Sequence, residues 1–377
     1  MRRASGIRPD LHRNGPAQLG GLRSDIGPSS VHDQLLHGRL GQGTKTARVG
    51  VRSARRVTSD LGIVAFTTSS HQYPPREIRI AAGWSGYDER SSMRLCTFEH
   101  AGRCEAGILR GNKILPISQV NAKRGADFPV EMLELINSNS GKALPTLSKG
   151  LEAEIPVTDV RMRIPYSNPG KVWCIGLNYR SHAEDLSEVQ PEEPGSFMKP
   201  SSSFFEPGGT IELPPEDLSQ EVDAEGELAL VFGERCRDVP LEDVRDVLFG
   251  YTTTLDMTAL DILARNTRYL QRAKSFDTFF SFGPVIVTVD EIDDIDSLEV
   301  LTVHNSRVFS RDFVANMKHR PLQLAAFHSR VMTFEPGDIL STGCPKGARI
   351  RPGDTVEARI EGVGQLHASV TRRGTTG

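Results

Sequence analysis

The stretch Val222-Asp-Ala-Glu-Gly-Glu-Leu-Ala-Leu-Val sets two carboxylates, Glu225 and Glu227, two residues apart and directly ahead of an apolar run. Alternate side chains of a strand share a face, so in a strand the two acids point the same way. Carboxylates that close repel one another unless a cation or a proton lies between them. Asp256 closes a second run of this kind, Leu248-Phe-Gly-Tyr-Thr-Thr-Thr-Leu-Asp. Three oxygen donors with no His or Cys adjoining them in sequence suit Mg2+, Mn2+ or Ca2+ rather than zinc. Spacing by itself favours a plainer arrangement, in which these are solvated strand-end acids, Asp223 included. Glu-x-Glu is common, and nothing in the spacing ties Asp256 to it.

Strands must position these groups. Glu227-Leu-Ala-Leu-Val-Phe-Gly is apolar on both faces, as an interior strand is. The run Leu248–Asp256 is rich in Thr and aromatics, which fit a pleated surface. Further strands are predicted at 171–176, 284–289, 298–304, 338–343 and 354–361. Short helices are predicted at 130–137, 240–247 and 320–332, the last with Pro321 in its first turn. Earlier in the chain, 93–98, 105–109 and 113–116 read as strands, with Gly111-Asn112 at a turn. Many strands, few helices and no regular β–α alternation define an α+β, mainly β fold rather than a doubly wound sheet. Residues 93–165 read as a small N-terminal α+β module, Asn168-Pro169-Gly170 as its boundary, and 168–372 as the main domain.

Residues 1–92 differ in texture. They carry 14 Lys+Arg against 7 Asp+Glu, and their apolar residues follow no helical or strand period. Such a segment buries too little surface to offset its ordering entropy, so it reads as a disordered extension or as no part of the native protein, with an organellar transit peptide ranked third. The basic arm has no dense Lys/Arg block and no aromatic interleaving, so no nucleic-acid partner is expected. No apolar run approaches the roughly 18 residues of a membrane-spanning helix, so no membrane role is expected either. The five cysteines, Cys96, Cys104, Cys174, Cys236 and Cys344, form no C-x-x-C pair. That pattern points to a reducing compartment and a cytoplasmic protein.

Six segments, in order, carry more. They are Cys174-Ile-Gly-Leu-Asn-Tyr-Arg-Ser-His, Phe197-Met-Lys-Pro-Ser, Glu225-Gly-Glu-Leu-Ala, Gly250-Tyr-Thr-Thr-Thr-Leu-Asp-Met-Thr-Ala, Ala273-Lys-Ser-Phe-Asp and Thr342-Gly-Cys-Pro-Lys-Gly. Together they resemble the fumarylacetoacetate hydrolase family over about residues 170–370. The resemblance implies a mixed β-sandwich or roll, a homodimer, and a divalent metal, Mg2+ or Mn2+ with Ca2+ as a third choice, held by Glu225, Glu227 and Asp256. It implies a small oxo-acid substrate and chemistry through a metal-stabilised enolate. Hydrolysis of a C–C bond in an acylpyruvate or 1,3-diketo acid is the first expectation; isomerisation, decarboxylation or hydration of an oxo-dienoate or an oxaloacetate-like acid is the alternative. A non-catalytic scaffold that kept the fold is a third reading, opposed by the retained acids.

The same resemblance assigns roles by position. His182 becomes the water-activating base, since an imidazole titrates near neutrality, and Asp185 the acid that orients it on a lid segment. Lys274 points at the developing oxyanion. The backbone N–H groups of Thr342 and Gly343 hold a substrate carboxylate, and Tyr179 and Lys199 add weaker contacts. Two positions depart from the family pattern: Leu260 stands where many members have Arg, and Cys344 where many have Thr. Both bear on substrate choice more than on the metal.

Overall fold

The structure, a computed structural model, describes residues 93–138, 142–185, 189–372 and 374. The readings of 1–92 lie outside the described residues. The first strands are β1 (Arg94–His100), β2 (Arg103–Arg110), β3 (Lys113–Pro116), β4 (Ile155–Pro156), β5 (Arg161–Arg163), β6 (Val172–Gly176), β7 (Gly195–Met198) and β8 (Thr210–Leu213). Next come the two long strands, β9 (Val222–Phe232) and β10 (Leu248–Ala259), then β11 (Phe280–Thr288), β12 (Glu299–His304) and β13 (Arg307–Phe313). The last are β14 (Ile339–Ser341), β15 (Ala348–Ile350), β16 (Thr355–Ile360) and β17 (Gly364–Arg372). Helices are short: α1 (Ile117–Arg124), α2 (Met132–Asn137), α3 (Leu144–Ser148), α4 (Arg180–Asp185), α5 (Val244–Val247), α6 (Leu260–Arg265), α7 (Leu270–Lys274) and α8 (Pro321–Val331).

Among the described residues the strands form two sheets. The larger has the order β4-β3-β2-β1-β11-β10-β9-β14-β6-β7, with β15 also paired to β9 and β5 to β1; the smaller has the order β13-β12-β16-β17-β8. This is the mixed, mainly β architecture expected of the sequence. The strands of residues 93–116 continue the main sheet, because β1 pairs with β11 at Arg94–Val287, Leu95–Ile286 and Cys96–Val285. Hydrogen bonds therefore cross the boundary read at residues 168–170.

The strand β9 is buried along its whole length. Its even-numbered residues face the smaller sheet: Ala224 packs with Val356 and Ala358, and Leu228 with Val300. Its odd-numbered residues face the other way, Asp223, Glu225 and Glu227 first and then Ala229 and Val231, which join a core shared with Leu95, Ile108 and Phe282. One strand thus carries acid and core on the same face, split lengthwise. Gly226 lies where the sheets press closest. A Cβ there would sit 2.9 Å from the Leu301 carbonyl oxygen and 3.0 Å from the Ala358 Cβ. The residue between the two glutamates must therefore lack a side chain, and its N–H donates to Thr302 Oγ1 at 3.0 Å.

Candidate metal centre

Register brings the acids together. β9 and β10 are antiparallel, with Glu225 directly opposite Asp256 and Glu227 opposite Thr254. Glu225, Glu227 and Asp256 therefore share one face, and one carboxylate oxygen of each lies within 4.8 Å of the other two. Asp256 is fully buried and Glu227 is 1% exposed. The acids sit inside their strands rather than at strand ends, because β10 runs on to Ala259, pairing Met257 with Ala224 and Thr258 with Asp223. Asp223, next along the same face, is ion-paired to Arg349 on β15.

Each carboxylate is held by neighbours. Lys274, the last residue of α7, donates to Glu225 Oε2 at 2.8 Å and to Asp256 Oδ2 at 2.7 Å. Thr258 Oγ1 donates to the other oxygen of Glu225 at 2.6 Å. Glu227 Oε2 accepts from Ser341 Oγ at 2.5 Å and from the Gly343 N–H at 3.1 Å. Lys199 is ion-paired to Asp256 Oδ1 and donates to the carbonyls of Met257 at 3.0 Å, Phe279 at 2.9 Å and Lys274 at 2.5 Å.

The charges are unevenly matched. Burial raises the Glu225 carboxyl, but Lys274, His182 and the hydrogen bonds from Lys274 and Thr258 outweigh it and hold the group below its ordinary value. Burial opposes the Lys274 ammonium too, yet Asp256, Glu225 and Glu227 keep it charged and raise it. Glu227 is the group left over. Burial, then Asp256, then Glu225 push its carboxyl up to about 8. Its two hydrogen-bond donors, Ser341 and the Gly343 amide, are both neutral. A buried acid of this kind, beside two other oxygen donors, fits a hard divalent cation, which replaces the proton and relieves the repulsion. Among the described residues, Glu225, Glu227 and Asp256 would hold it.

His182 is buried on α4 and faces the same acids. A ring nitrogen of His182, an oxygen of Glu225 and the sulfur of Cys344 lie within 4.8 Å of one another. The segment is pinned just ahead of His182. Asn178 Nδ2 donates to the Thr342 carbonyl at 2.8 Å, and Ser181 Oγ to the Pro345 carbonyl at 2.9 Å. The backbone of Asp185 closes α4; its side chain lies outside the described residues.

Three of the four expected substrate contacts are engaged within the protein. The Lys199 ammonium shares its three N–H groups among the Asp256 carboxylate and three backbone carbonyls, and so anchors Asp256. The Thr342 N–H and hydroxyl both donate to the Leu228 carbonyl, at 3.0 and 2.8 Å. The Gly343 N–H is committed to Glu227. These hydrogen bonds fix the loop to β9. Tyr179 is wholly buried in the core and its backbone bridges to Met317, while its hydroxyl has no hydrogen-bond partner among the described residues. Thr258 and Ser341 carry site roles that sequence reading did not assign. Thr258 was within reach, since it lies two residues beyond Asp256 on the same strand face.

A carboxylate triad on the central strands of a two-sheet β roll, with a lysine and a histidine against it, is a donor set that could hold a divalent metal ion. The chain belongs to the fumarylacetoacetate hydrolase family: residues 171–371 match the model of the fumarylacetoacetate (FAA) hydrolase C-terminal domain. It is 35% identical over 293 residues to the mitochondrial oxaloacetate tautomerase of Rattus norvegicus, covering 73% of this chain and 90% of that protein. Among solved structures, it is similar to maleylpyruvate hydrolase from Sphingobium sp. SYK-6 in complex with manganese(II) and pyruvate, with a TM-score of 0.60, 30% identity, 75% of this chain and 100% of that chain. It is similar also to 5-carboxymethyl-2-hydroxymuconate delta-isomerase from Mycobacterium smegmatis, with a TM-score of 0.59, 30% identity and the same two coverages, 75% and 100%. The chain is an enzyme of this family. Among the described residues no helix is long and apolar enough to cross a membrane.

Proposed function

We propose that the chain is a divalent-metal-dependent enzyme that hydrolyses a C–C bond in a small acylpyruvate or 1,3-diketo acid. The observation that carries this reading is the buried cluster of Glu225, Glu227 and Asp256, with Lys274 bonded to two of them and a ring nitrogen of His182 within 4.8 Å of a Glu225 oxygen. A divalent cation in that cluster supplies Lewis-acid polarisation of the substrate's 2-oxo carboxylate. The protein's own groups supply the rest. His182 takes a proton from water as the water attacks the distal carbonyl. The C–C bond then breaks, its electron pair passes to the carbon next to the 2-oxo group, and that carbon is reprotonated to give the keto acid. Lys274 holds Glu225 and Asp256 at a fixed separation, and its ammonium has a third proton to give to an oxygen that gains charge.

Tautomerisation of an oxaloacetate-like acid is the second reading, supported by the relative of that name that aligns with most of the chain. It needs the same cluster and a proton carrier, but no attacking water. A panel of acylpyruvates, oxaloacetate and oxo-dienoates, run with and without chelator, separates the two. For hydrolysis, His182→Ala should lower kcat at least 100-fold, the usual worth of a general base. C–C cleavage unchanged in His182→Ala and abolished in Lys274→Ala would move the assignment to a decarboxylase; tautomerisation of oxaloacetate with no C–C cleavage of any acid in the panel would move it to the second reading. We read Mg2+ or Mn2+ as the resident ion, the cytoplasm as the site of action, and a homodimer as the working form. The exposed Val308, Phe309 and Phe313 of β13, at the edge of the smaller sheet, support a self-contact. Light scattering coupled to gel filtration checks the dimer.

A further inference from the structure

Beside the carboxylate triad lies a second donor set of different chemistry. It combines an imidazole nitrogen from His182, a carboxylate oxygen from Glu225 and a thiol sulfur from Cys344, all three buried and mutually within 4.8 Å. Its members come from three separate elements, α4, β9 and the loop between β14 and β15, so no local turn explains their meeting. The fold holds them there. Asn178 and Ser181, both just ahead of His182, donate to Thr342 and Pro345, which flank Cys344. Gly343, at φ 92°, approaches so close that a Cβ there would lie 3.0 Å from the Asn178 Cβ. Gly347 lets the other end of the loop pass Glu225, since a Cβ at that position would sit 3.2 Å from the Glu225 Cγ.

Sulfur and imidazole donors select borderline-soft ions, and one N, one O and one S with an open fourth position is a tetrahedral zinc donor set. Mg2+ has no use for the sulfur. We propose that His182, Glu225 and Cys344 form a separate binding site for a thiophilic divalent cation, Zn2+ in the first place, that shares Glu225 with the carboxylate triad and inhibits the enzyme. As the ion binds, the S–H bond of Cys344 breaks, its proton passes to solvent and an S–Zn bond forms, with no change in oxidation state. The imidazole lone pair is then committed to the metal and cannot accept a proton from water. This inhibition rests on the reading of His182 as the base; the binding site does not.

The two parts are tested separately on the full chain, stripped of metal by chelator and dialysed. Co2+ serves as the spectroscopic probe and Zn2+ as the ligand. Co2+ should give a thiolate-to-metal charge-transfer band that Cys344→Ser lacks. In Cys344→Ser, Zn2+ affinity should fall at least tenfold while the thermal shift caused by Mg2+ is kept. Glu227→Gln should do the reverse, losing the Mg2+ shift and keeping the cobalt–thiolate band. A band that survives in Cys344→Ser, or equal Zn2+ affinity in the wild type and Cys344→Ser, overturns the site. For the second part, Zn2+ titrated into Mg2+-loaded enzyme should inhibit the wild type at concentrations at least tenfold lower than Cys344→Ser, each normalised to its own rate. Zinc bound through the thiolate without inhibition would leave the site standing and overturn the assignment of His182 as the base.

Discussion

At the scale of single residues, the site is governed by an imbalance: three buried acids meet two lysines, and Glu227 receives neither lysine as a hydrogen-bond partner. Its carboxyl is raised from an ordinary 4.5 to about 8. Between those values the unfolded chain has released a proton that the metal-free fold still holds, so the fold binds more protons and loses stability as pH rises. The metal-free protein should therefore be most stable near the lower end of that window and weaken towards pH 8. A bound divalent cation cancels the loss, so the thermal shift caused by Mg2+ should grow with pH; melting curves from pH 5 to 8.5, with and without chelator, check it. Glu227→Gln removes the buried charge and keeps an oxygen for Ser341 and Gly343. At pH 8.5 it should be more stable than metal-free wild type by on the order of a few kcal/mol, melt at a higher temperature, and show no Mg2+ shift. A lower melting point at that pH would show that Glu227 carries a stabilising charge. The acids were legible here only through the ordered motifs around them, because Glu-x-Glu spacing says nothing of Asp256. The fates of Lys199, Thr342 and Gly343 were not legible, since a donor's partner is fixed by tertiary packing and the sequence shows only that a donor exists.

At the scale of elements, β9 explains both what was readable and what was not. Its apolar second half is an evident interior strand, yet its first half, with three acids in five residues, reads as a solvated strand end. The structure buries it because β10 and the loop before β15 flank it on both sides and the smaller sheet covers Gly226. Strands with strong apolar runs, such as β6, β10, β11 and β16, were visible in sequence. Others were not: β4, β5, β7, β8 and β15 are too short to show a pattern, β13 is largely exposed, and β17 buries Leu366, Ala368 and Val370 between Gln, His and Ser, a period of two too dilute to stand out. The packing at Gly226 yields a prediction. A methyl group there meets the Leu301 carbonyl, a backbone atom that cannot turn aside, so the sheets must part. Gly226→Ala should cost about 1–3 kcal/mol in urea denaturation. It should also weaken Mg2+ binding, because Glu225 and Glu227 move with the strand. A stability loss with unchanged Mg2+ affinity would show that the acids tolerate the shift.

For the molecule as a whole, the question is whether the residues ahead of the matched family segment are an accessory or part of the same body. The hydrogen bonds from β1 to β11 and the shared core of Leu95, Ile108, Phe282, Ile286 and Val231 make them one sheet and one core. The path from that core to the metal site is short, since β11 pairs with β10 and Phe280 lies opposite Asp256. A chain starting at residue 168 would turn β11 into an open edge and expose Phe282 and Ile286, both wholly buried in the intact fold. Re-exposing two such side chains costs roughly 3–6 kcal/mol, which for a protein of this size lowers the melting temperature by about 10 °C or more. The truncated chain should also bind a hydrophobic dye and associate through its new edge. Because β11 sets the position of β10, Mg2+ affinity should fall with it. Calorimetry and Mg2+ titration of the 168–377 fragment beside the full chain give the answer. Equal melting temperatures and equal affinity would show that the first strands only decorate a self-sufficient catalytic unit.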